Sequence, residues 1–240
     1  MTVLPLTDTP KKRLTGLPLM GVGLFLVLVW GSAFTMISVA VRDISPEWLV
    51  AGRMSVGALC VFAFTTLRGL RLPKFSDVRW RWYLVLAVTG ASLPFVMVAT
   101  GQKTVDSGLT AIIIGAMPLI TIVLAHFFTD EKLTVWKLTG FLMGFVGIIV
   151  LFLPKDLSLS LVDDWVAQLL ILGGASCYAI TTIVASRAPK TPSAIGASMM
   201  LIMGAMMSTL WALVAGGPLT VPSPITLACI IGLGLGSTGV

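Results

Sequence analysis

Residues 14–41 read LTGLPLMGVGLFLVLVWGSAFTMISVAV, a stretch of 28 residues without a formal charge. A helix needs about 20 consecutive apolar residues to cross the hydrocarbon core of a bilayer, and this stretch is long enough to do so. A strand of a membrane barrel would instead alternate polar and apolar residues, and this stretch does not. It therefore predicts a transmembrane α-helix.

Stretches of the same kind make up most of the chain. Of its 240 residues, 57% are hydrophobic and only 11% are charged, whereas soluble domains carry about 25% charged residues. The composition excludes a soluble domain and makes the lipid bilayer a partner of the chain. Seven further segments, free or nearly free of charge, predict spans at 46–67, 82–102, 107–129, 138–154, 165–186, 193–215 and 225–240. We predict an all-α polytopic membrane protein with about eight transmembrane helices.

The basic cluster Lys11-Lys12-Arg13 precedes the first stretch and imitates the start of a secretory signal peptide, with residues 31–33 as its cleavage site. The apolar region of a signal peptide is about 7 to 15 residues long. This stretch is longer, and seven more spans follow it. We therefore interpret it as the first transmembrane helix, preceded by a cytoplasmic segment of residues 1–18.

The distribution of positive charge predicts how the chain is oriented. With a cytoplasmic N-terminus, twelve of the sixteen Lys and Arg residues lie on the cytoplasmic side of the spans and three on the outer side. Such an excess is typical of polytopic membrane proteins. We predict a multi-pass protein of the cell (inner or plasma) membrane with a cytoplasmic N-terminus. Because orientation accounts for the net charge of +6, no nucleic-acid partner is expected.

The first and sixth predicted spans are weakly alike. Residues 26–41 read LVLVWGSAFTMISVAV and residues 170–185 read LILGGASCYAITTIVA, an offset of 144 residues. At a similar offset, Gly90-Ala91-Ser92 of the third span falls on Leu235-Gly236-Ser237 of the eighth. The repeat unit holds five spans, and because five is odd, the second copy enters from the opposite side. This arrangement is typical of transporters built from inverted repeats.

Two segments of the chain carry loose sequence patterns whose order and spacing are informative. The first contains Trp30-Gly31-Ser32-Ala33-Phe34, then Ser45-Pro46 and, seven residues after that proline, Arg53. The second runs from Ser107 through Met117-Pro118-Leu119 and Asp130-Glu131-Lys132-Leu133 to the series Gly140, Gly144 and Gly147. With these two segments the chain resembles the EamA family of the drug/metabolite transporter superfamily, and the resemblance covers essentially the whole chain.

The resemblance implies ten helices in two five-helix halves. On this basis residues 19–154 form the first repeat, and residues 163–240 form an incomplete second repeat of three helices. It also implies a transporter that moves a small organic solute by alternating access, with export as the commoner direction. Amino acids, metabolites and drug-like compounds are the expected solutes. The competing hypothesis is a protein that does not transport, either a truncated remnant or a membrane scaffold.

Arg53 is the one formal charge well inside a predicted span. An arginine at the centre of a membrane helix costs on the order of 3 kcal/mol, so it needs partners or a water-lined cavity. In one interpretation its cation faces a cavity for a solute that carries a carboxylate. In the other it snorkels or bridges helices by bonding backbone carbonyls, with Glu47 in reach. The sequence leaves both open.

Other polar and aromatic residues near the predicted midplane could line a mixed aromatic and hydroxyl site. These candidates are Trp30, Ser32, Phe34, Ser92, Phe95, Ser176 and Tyr178. Pro94 and Pro118 also fall near the middle of their spans, where a proline frees a carbonyl and kinks the helix. We interpret this pair as shaping a cavity.

No motif for a metal, a nucleotide or a catalytic group is present in the sequence, so no cofactor and no enzymatic activity are expected. The cysteines are interpreted as small packing residues. Gly140-x3-Gly144 and Gly232-x3-Gly236 predict close internal helix contacts, and a homodimer is left open.

Overall fold

The computed structural model describes residues 16–129, 134–152 and 164–239, which are helical and contain no strands. Most of the predicted cytoplasmic segment, the turn at residues 130–133, residues 153–163 with the predicted end of the first repeat, and residue 240 lie outside the described residues.

The described ranges contain eight helical segments, one for each predicted span. They are α1 (Leu17–Ala40), α2 (Pro46–Leu67), α3 (Arg79–Gly101), α4 (Ser107–Phe128), α5 (Val135–Phe152), α6 (Trp165–Arg187), α7 (Ser193–Ala215) and α8 (Pro224–Thr238). Six of them, all except α5 and α8, are long and apolar enough to cross a membrane. The prediction of an all-α polytopic membrane protein is confirmed.

Side-chain caps place the starts of three helices. Ser45 accepts a hydrogen bond from the backbone of Trp48 at the start of α2, and Asp106 does the same for two amides at the start of α4. Ser223 caps α8 in the same way. Serine and aspartate are favoured here because their oxygens satisfy amides that have no partner within the helix. These three helices therefore begin within one residue of the predicted starts of their spans, at residues 46, 107 and 225.

Two helices depart from α geometry directly before their prolines. In α3, a π-helical turn at Val88–Ser92 precedes Pro94, and in α4 the helix is interrupted at residues 115–116 before Pro118. Proline has no amide hydrogen and clashes with the preceding turn, so irregular geometry is expected on its N-terminal side. Both irregularities fall in the middle of their spans.

Helices α2 and α7 form the centre of the bundle and run antiparallel along their whole length. Their shared core includes Leu49, Met54 and Leu201, all buried. Helices α3 and α8 flank this pair, α1 packs on α8 and α4, and α6 packs on α3 and α4. Much of the apolar surface of α1 is exposed, as expected for a helix that faces lipid.

Glycines allow α2 and α8 to approach closely. A Cβ atom at Gly57 would lie 2.9 Å from Thr238 Cγ2, and one at Gly234 would lie 2.6 Å from Val56. In membranes, small residues let helix backbones come together. The contact holds the C-terminal end of α8 beside the middle of α2.

The two Gly-x3-Gly patterns, at Gly140 and at Gly232, differ in whether a neighbouring helix contacts them. Gly236 lies close to Val29 of α1, since a Cβ there would be 3.2 Å from a Val29 methyl, as the prediction of internal contact requires. Around Gly140 and Gly144, in contrast, a Cβ would meet no described atom within 4 Å. The prediction of a close internal contact is therefore wrong for α5 in the described part of the chain.

Candidate functional site

Arg53 lies in the middle of α2 and is only 4% exposed. Its Nε donates to Thr238 Oγ1 at 3.1 Å, and its Nη2 donates to Ser237 Oγ at 3.0 Å and to Thr238 Oγ1 at 2.9 Å. Both acceptors belong to the end of α8 that the glycine contact brings against α2. The arginine thus bridges two helices through side-chain hydroxyls.

Two aromatic rings complete the surroundings of the guanidinium group. Arg53 Cζ lies 3.9 Å from the centroid of the Phe95 ring of α3, a cation–π contact. The Phe95 ring meets the Tyr178 ring of α6 edge to face, with centroids 6.2 Å apart. We name Arg53, Phe95, Tyr178, Ser237 and Thr238 the Arg53 cluster; it joins α2, α3, α6 and α8.

The charge of Arg53 is not balanced by an acid in the described part of the chain. Its hydrogen bonds go to hydroxyls, and the one ion pair in the described ranges joins Arg79 and Asp77, 2.7 Å apart. The bonds to backbone carbonyls and to Glu47, which belonged to the helix-bridging interpretation of Arg53, are therefore not observed in the described part of the chain. All acidic residues of the described ranges lie in loops or in first helical turns: Asp43, Glu47, Asp77, Asp106 and Asp164.

The contacts of Arg53 are strong enough to hold it in place without a counter-charge. A hydrogen bond from a charged group contributes about 1.5–3 kcal/mol, and a desolvated cation–π contact contributes about 2 kcal/mol. Together these offset an insertion cost on the order of 3 kcal/mol. The cluster is therefore held together while it keeps one positive charge.

Of the eight residues predicted from the sequence to line a site, the structure brings together Arg53, Phe95 and Tyr178. Ser92 is buried elsewhere, between α3 and α7, where its hydroxyl donates to the Gly204 carbonyl at 3.2 Å. The Phe34 carbonyl accepts a hydrogen bond from Gln102 at 3.0 Å.

The remaining three predicted residues do not reach the Arg53 cluster in the described arrangement. Trp30 is 59% exposed on the outer surface of α1. The hydroxyls of Ser32 and Ser176 donate to carbonyls of their own helices. Aromatic and hydroxyl side chains at similar depth can thus face different sides of their helices, which a weak repeat does not reveal.

The sequence did not identify Ser237 and Thr238 as site residues. One signal in the sequence pointed to Ser237, because the two repeats align it with Ser92. Nothing in the sequence indicated that α8 lies against Arg53, since 184 residues separate the bonded pair Arg53 and Ser237.

Outside the spans, two carboxylates are held in their charged form. The Arg79 side chain donates to Asp77 and lowers the pKa of Asp77 to about 2. Hydrogen bonds from Thr226 and Ser223 lower the pKa of Asp43. The Asp43 contact is exposed and the Asp77 contact is partly buried, and neither includes a residue of the Arg53 cluster.

No group of three or more His, Cys, Asp or Glu side chains within the described ranges could hold a metal ion. Cys60 is exposed, whereas Cys177 and Cys229 are partly buried, and all three are free thiols. The functional groups of the candidate site are therefore a cation, hydroxyls and aromatic rings.

Comparison with known proteins identifies similar chains. Residues 17–153 match the model of the EamA-like transporter family. The chain is 26% identical over 204 residues to the uncharacterised inner membrane transporter YedA of Escherichia coli. This match covers 85% of this chain and 65% of YedA. It is also 30% identical over 129 residues to an uncharacterised transporter of Archaeoglobus fulgidus, covering 54% of this chain and 45% of that protein.

The fold also resembles that of a solved protein. A crystal structure superimposes with a TM-score of 0.69 at 18% identity, covering 91% of this chain and 74% of the solved chain. This likeness supports the fold. The chain spans less than two thirds of the length of the curated relatives named above.

Proposed function

Because the chain belongs to the EamA-like transporter family, we propose that it carries a small organic solute across the membrane by alternating access, with the Arg53 cluster as its solute site. The observation that carries this proposal is a buried cation held without an acidic partner. A charge in the membrane interior is costly and marks a functional site by default. Solute binding supplies a reason to retain it.

The packing of the helices supports two related halves, residues 19–154 and 163–240. In the proposed repeat, α1 corresponds to α6, α2 to α7 and α3 to α8. The contact of α1 with α8 then corresponds to the contact of α6 with α3, and the α2–α7 contact corresponds to itself. In transporters built from inverted repeats the solute site lies at the interface of the halves. The Arg53 cluster joins helices of both proposed halves, which supports its role as the solute site.

Several finer features are part of the proposal. We expect a multi-pass protein of the cell membrane with a cytoplasmic N-terminus, in keeping with the cation distribution and with YedA, an uncharacterised inner membrane transporter. Export of an amino acid, another metabolite or a drug-like compound is the expected activity. A contribution to solute binding also stays a prediction for Trp30, Ser32, Phe34, Ser92 and Ser176.

The proposal can be tested without knowing the solute. The natural gene product and its Arg53→Gln variant are produced in a bacterial host, and small solutes in cells and medium are compared by mass spectrometry. We expect at least one carboxylate-bearing solute to move between cell and medium with the wild-type protein. That movement should be lost with Arg53→Gln at an equal amount of folded protein in the membrane.

Arg68→Gln is the matched control. Arg68 follows α2 and also lies over a phenylalanine ring, Phe64, with 5.0 Å between Cζ and the ring centroid, but it is exposed. This variant should behave like the wild type. A wild-type protein that redistributes no solute would support the scaffold hypothesis, and equal loss of folded protein and transport would assign Arg53 to helix bridging alone.

A further inference from the structure

We infer that the Arg53 cluster selects organic anions, solutes with a carboxylate and no ammonium group, over zwitterionic amino acids. The inference rests on the proposed function because it concerns the same site. It narrows the solute class from small organic compounds in general to acids that neutralise one positive charge.

The first argument is the hydrogen-bonding capacity of the cluster. A hydroxyl oxygen can accept about two hydrogen bonds and donate one. Thr238 Oγ1 already accepts two bonds from Arg53, which leaves its O–H as a donor. Ser237 accepts one bond from Arg53 and donates its hydrogen to the Leu233 carbonyl at 3.1 Å.

The free groups of the arginine point to the same ligand chemistry. Nε and Nη2 of Arg53 are bonded to α8, whereas Nη1 has no hydrogen bond to a residue in the described ranges. Nη1 and the Thr238 hydroxyl therefore supply unused donors. A carboxylate accepts hydrogen bonds and forms its strongest ones with guanidinium groups.

The second argument is charge balance. An organic anion bound at Arg53 leaves the site neutral. A zwitterion brings an ammonium group beside the same cation, and no acid in the described membrane interior compensates for it. The Phe95 face over which Arg53 lies is not free for cation–π binding of that ammonium. In a low-dielectric interior an uncompensated charge is costly, so the zwitterion is disfavoured.

The test uses three probes that share one carbon skeleton: 3-phenylpropionate, its uncharged amide 3-phenylpropanamide, and L-phenylalanine, which is the same acid with an ammonium group. Their binding to the purified natural gene product in detergent is measured by isothermal titration calorimetry. We expect 3-phenylpropionate to bind about tenfold or more tightly than either of the others. Equal or tighter binding of phenylalanine or of the amide would overturn the inference, as would no binding of 3-phenylpropionate at millimolar concentration.

Variants assign the preference to the cluster. Arg53→Gln should reduce the affinity for 3-phenylpropionate to that for the amide, whereas Arg53→Lys should keep a preference for the anion because it keeps the charge. Should Arg53→Gln fail to fold, Thr238→Val serves instead and should weaken binding of the anion several-fold. Arg68→Gln should bind all three probes as the wild type does; a preference that survives Arg53→Gln in folded protein would place the anion site elsewhere.

The binding experiment tests the selectivity of the site and the transport experiment tests the proposed function, so one can fail while the other succeeds. Selective anion binding without movement of any solute across the membrane would leave the site assignment standing and overturn the transport proposal. Transport of a zwitterion that depends on Arg53 would support the transport proposal and the assignment of the site, and it would overturn the selectivity for anions.

Discussion

The two ends of the α2–α7 pair are closed in different ways. At one end, which we name the Thr65 end, Thr65 Oγ1 and Ser198 Oγ are 2.7 Å apart and both residues are fully buried. At the other, the Trp48 end, Trp48 Nε1 donates to the Gly217 carbonyl at 3.1 Å and Asp43 accepts from the Ser223 amide at 2.8 Å, both in exposed positions.

The packing around the two ends differs in the same sense. A buried apolar cluster of Trp80, Ile195 and Met199 lies beside the Thr65 end. At the Trp48 end, a groove of about 260 Å³ opens between α2 and the connection from α7 to α8. Water can replace an exposed hydrogen bond but not a buried one, so the Trp48 end is easier to open. The proposed alternating access requires each end to open in turn, and we expect the Trp48 end to open at the lower cost.

The largest expected effect concerns which end faces the cytoplasm. A reporter that is active only in the cytoplasm should be active when fused after Lys190, next to the Thr65 end, and silent when fused after Gly217, next to the Trp48 end. The reason is the excess of cations on the Thr65 side of the membrane. The reverse pattern would contradict the predicted orientation while leaving the comparison of the two ends intact.

The second prediction concerns the contribution of the buried Thr65 end to the free energy of unfolding. Thr65→Val conserves shape, removes the hydroxyl and leaves Ser198 with a poor partner, so the free energy of unfolding in detergent should fall by about 1–3 kcal/mol. Thr220→Val, an exposed position near the Trp48 end, should change it by less than about 0.5 kcal/mol. The double variant with Ser198→Ala should lose less than the sum of the two single changes, because the hydroxyls form one pair.

The third prediction measures the exposed end in the same assay. Trp48→Phe keeps an aromatic ring and removes the donor to Gly217, so we expect a loss of about 0.5–1 kcal/mol. A cysteine placed at Thr220 should also be labelled faster in this variant, because the groove opens more often. A loss greater than that of Thr65→Val would reverse the ranking of the two ends.

The smallest expected effect is a pH dependence of the Trp48 end. Hydrogen bonds from Thr226 and Ser223 lower the pKa of Asp43, so its contact is fully present above the ordinary carboxyl pKa of about 4. It is lost as the pH falls below that value through the lowered pKa of the folded state. The thiolate fraction of every cysteine falls at acid pH, so two positions are compared. The labelling rate of a cysteine placed at Thr220, divided by that of a cysteine placed at Lys190, should rise as the pH falls. Asp43→Asn should abolish the rise.

The sequence predicted the helices well because helix position in a membrane depends on local properties. The predicted span 46–67 coincides with α2, Pro46–Leu67. The charge-free rule started the third span at Trp82, but α3 begins at Arg79. Arginines in a first turn can extend their charged ends to the interface, so a charge need not end a helix.

The candidate site was predicted only in part. Arg53 was identified because a charge in an apolar run is visible in the sequence. Its pairing with Glu47 was not observed, because six residues along one helix place two side chains about 9 Å apart along the axis and on different faces. The hydroxyls that Arg53 bonds lie in a helix distant in sequence.

The sequence by itself determined the solvent of this protein, the number and limits of its predicted spans, and the presence of one cation that needs partners. These depend on composition and on charge along short segments. Only the tertiary structure decided that Phe95, Tyr178, Ser237 and Thr238 are those partners. Their meeting depends on how α2 and α8 approach at Gly57 and Gly234, a fit of two surfaces that local hydropathy does not encode.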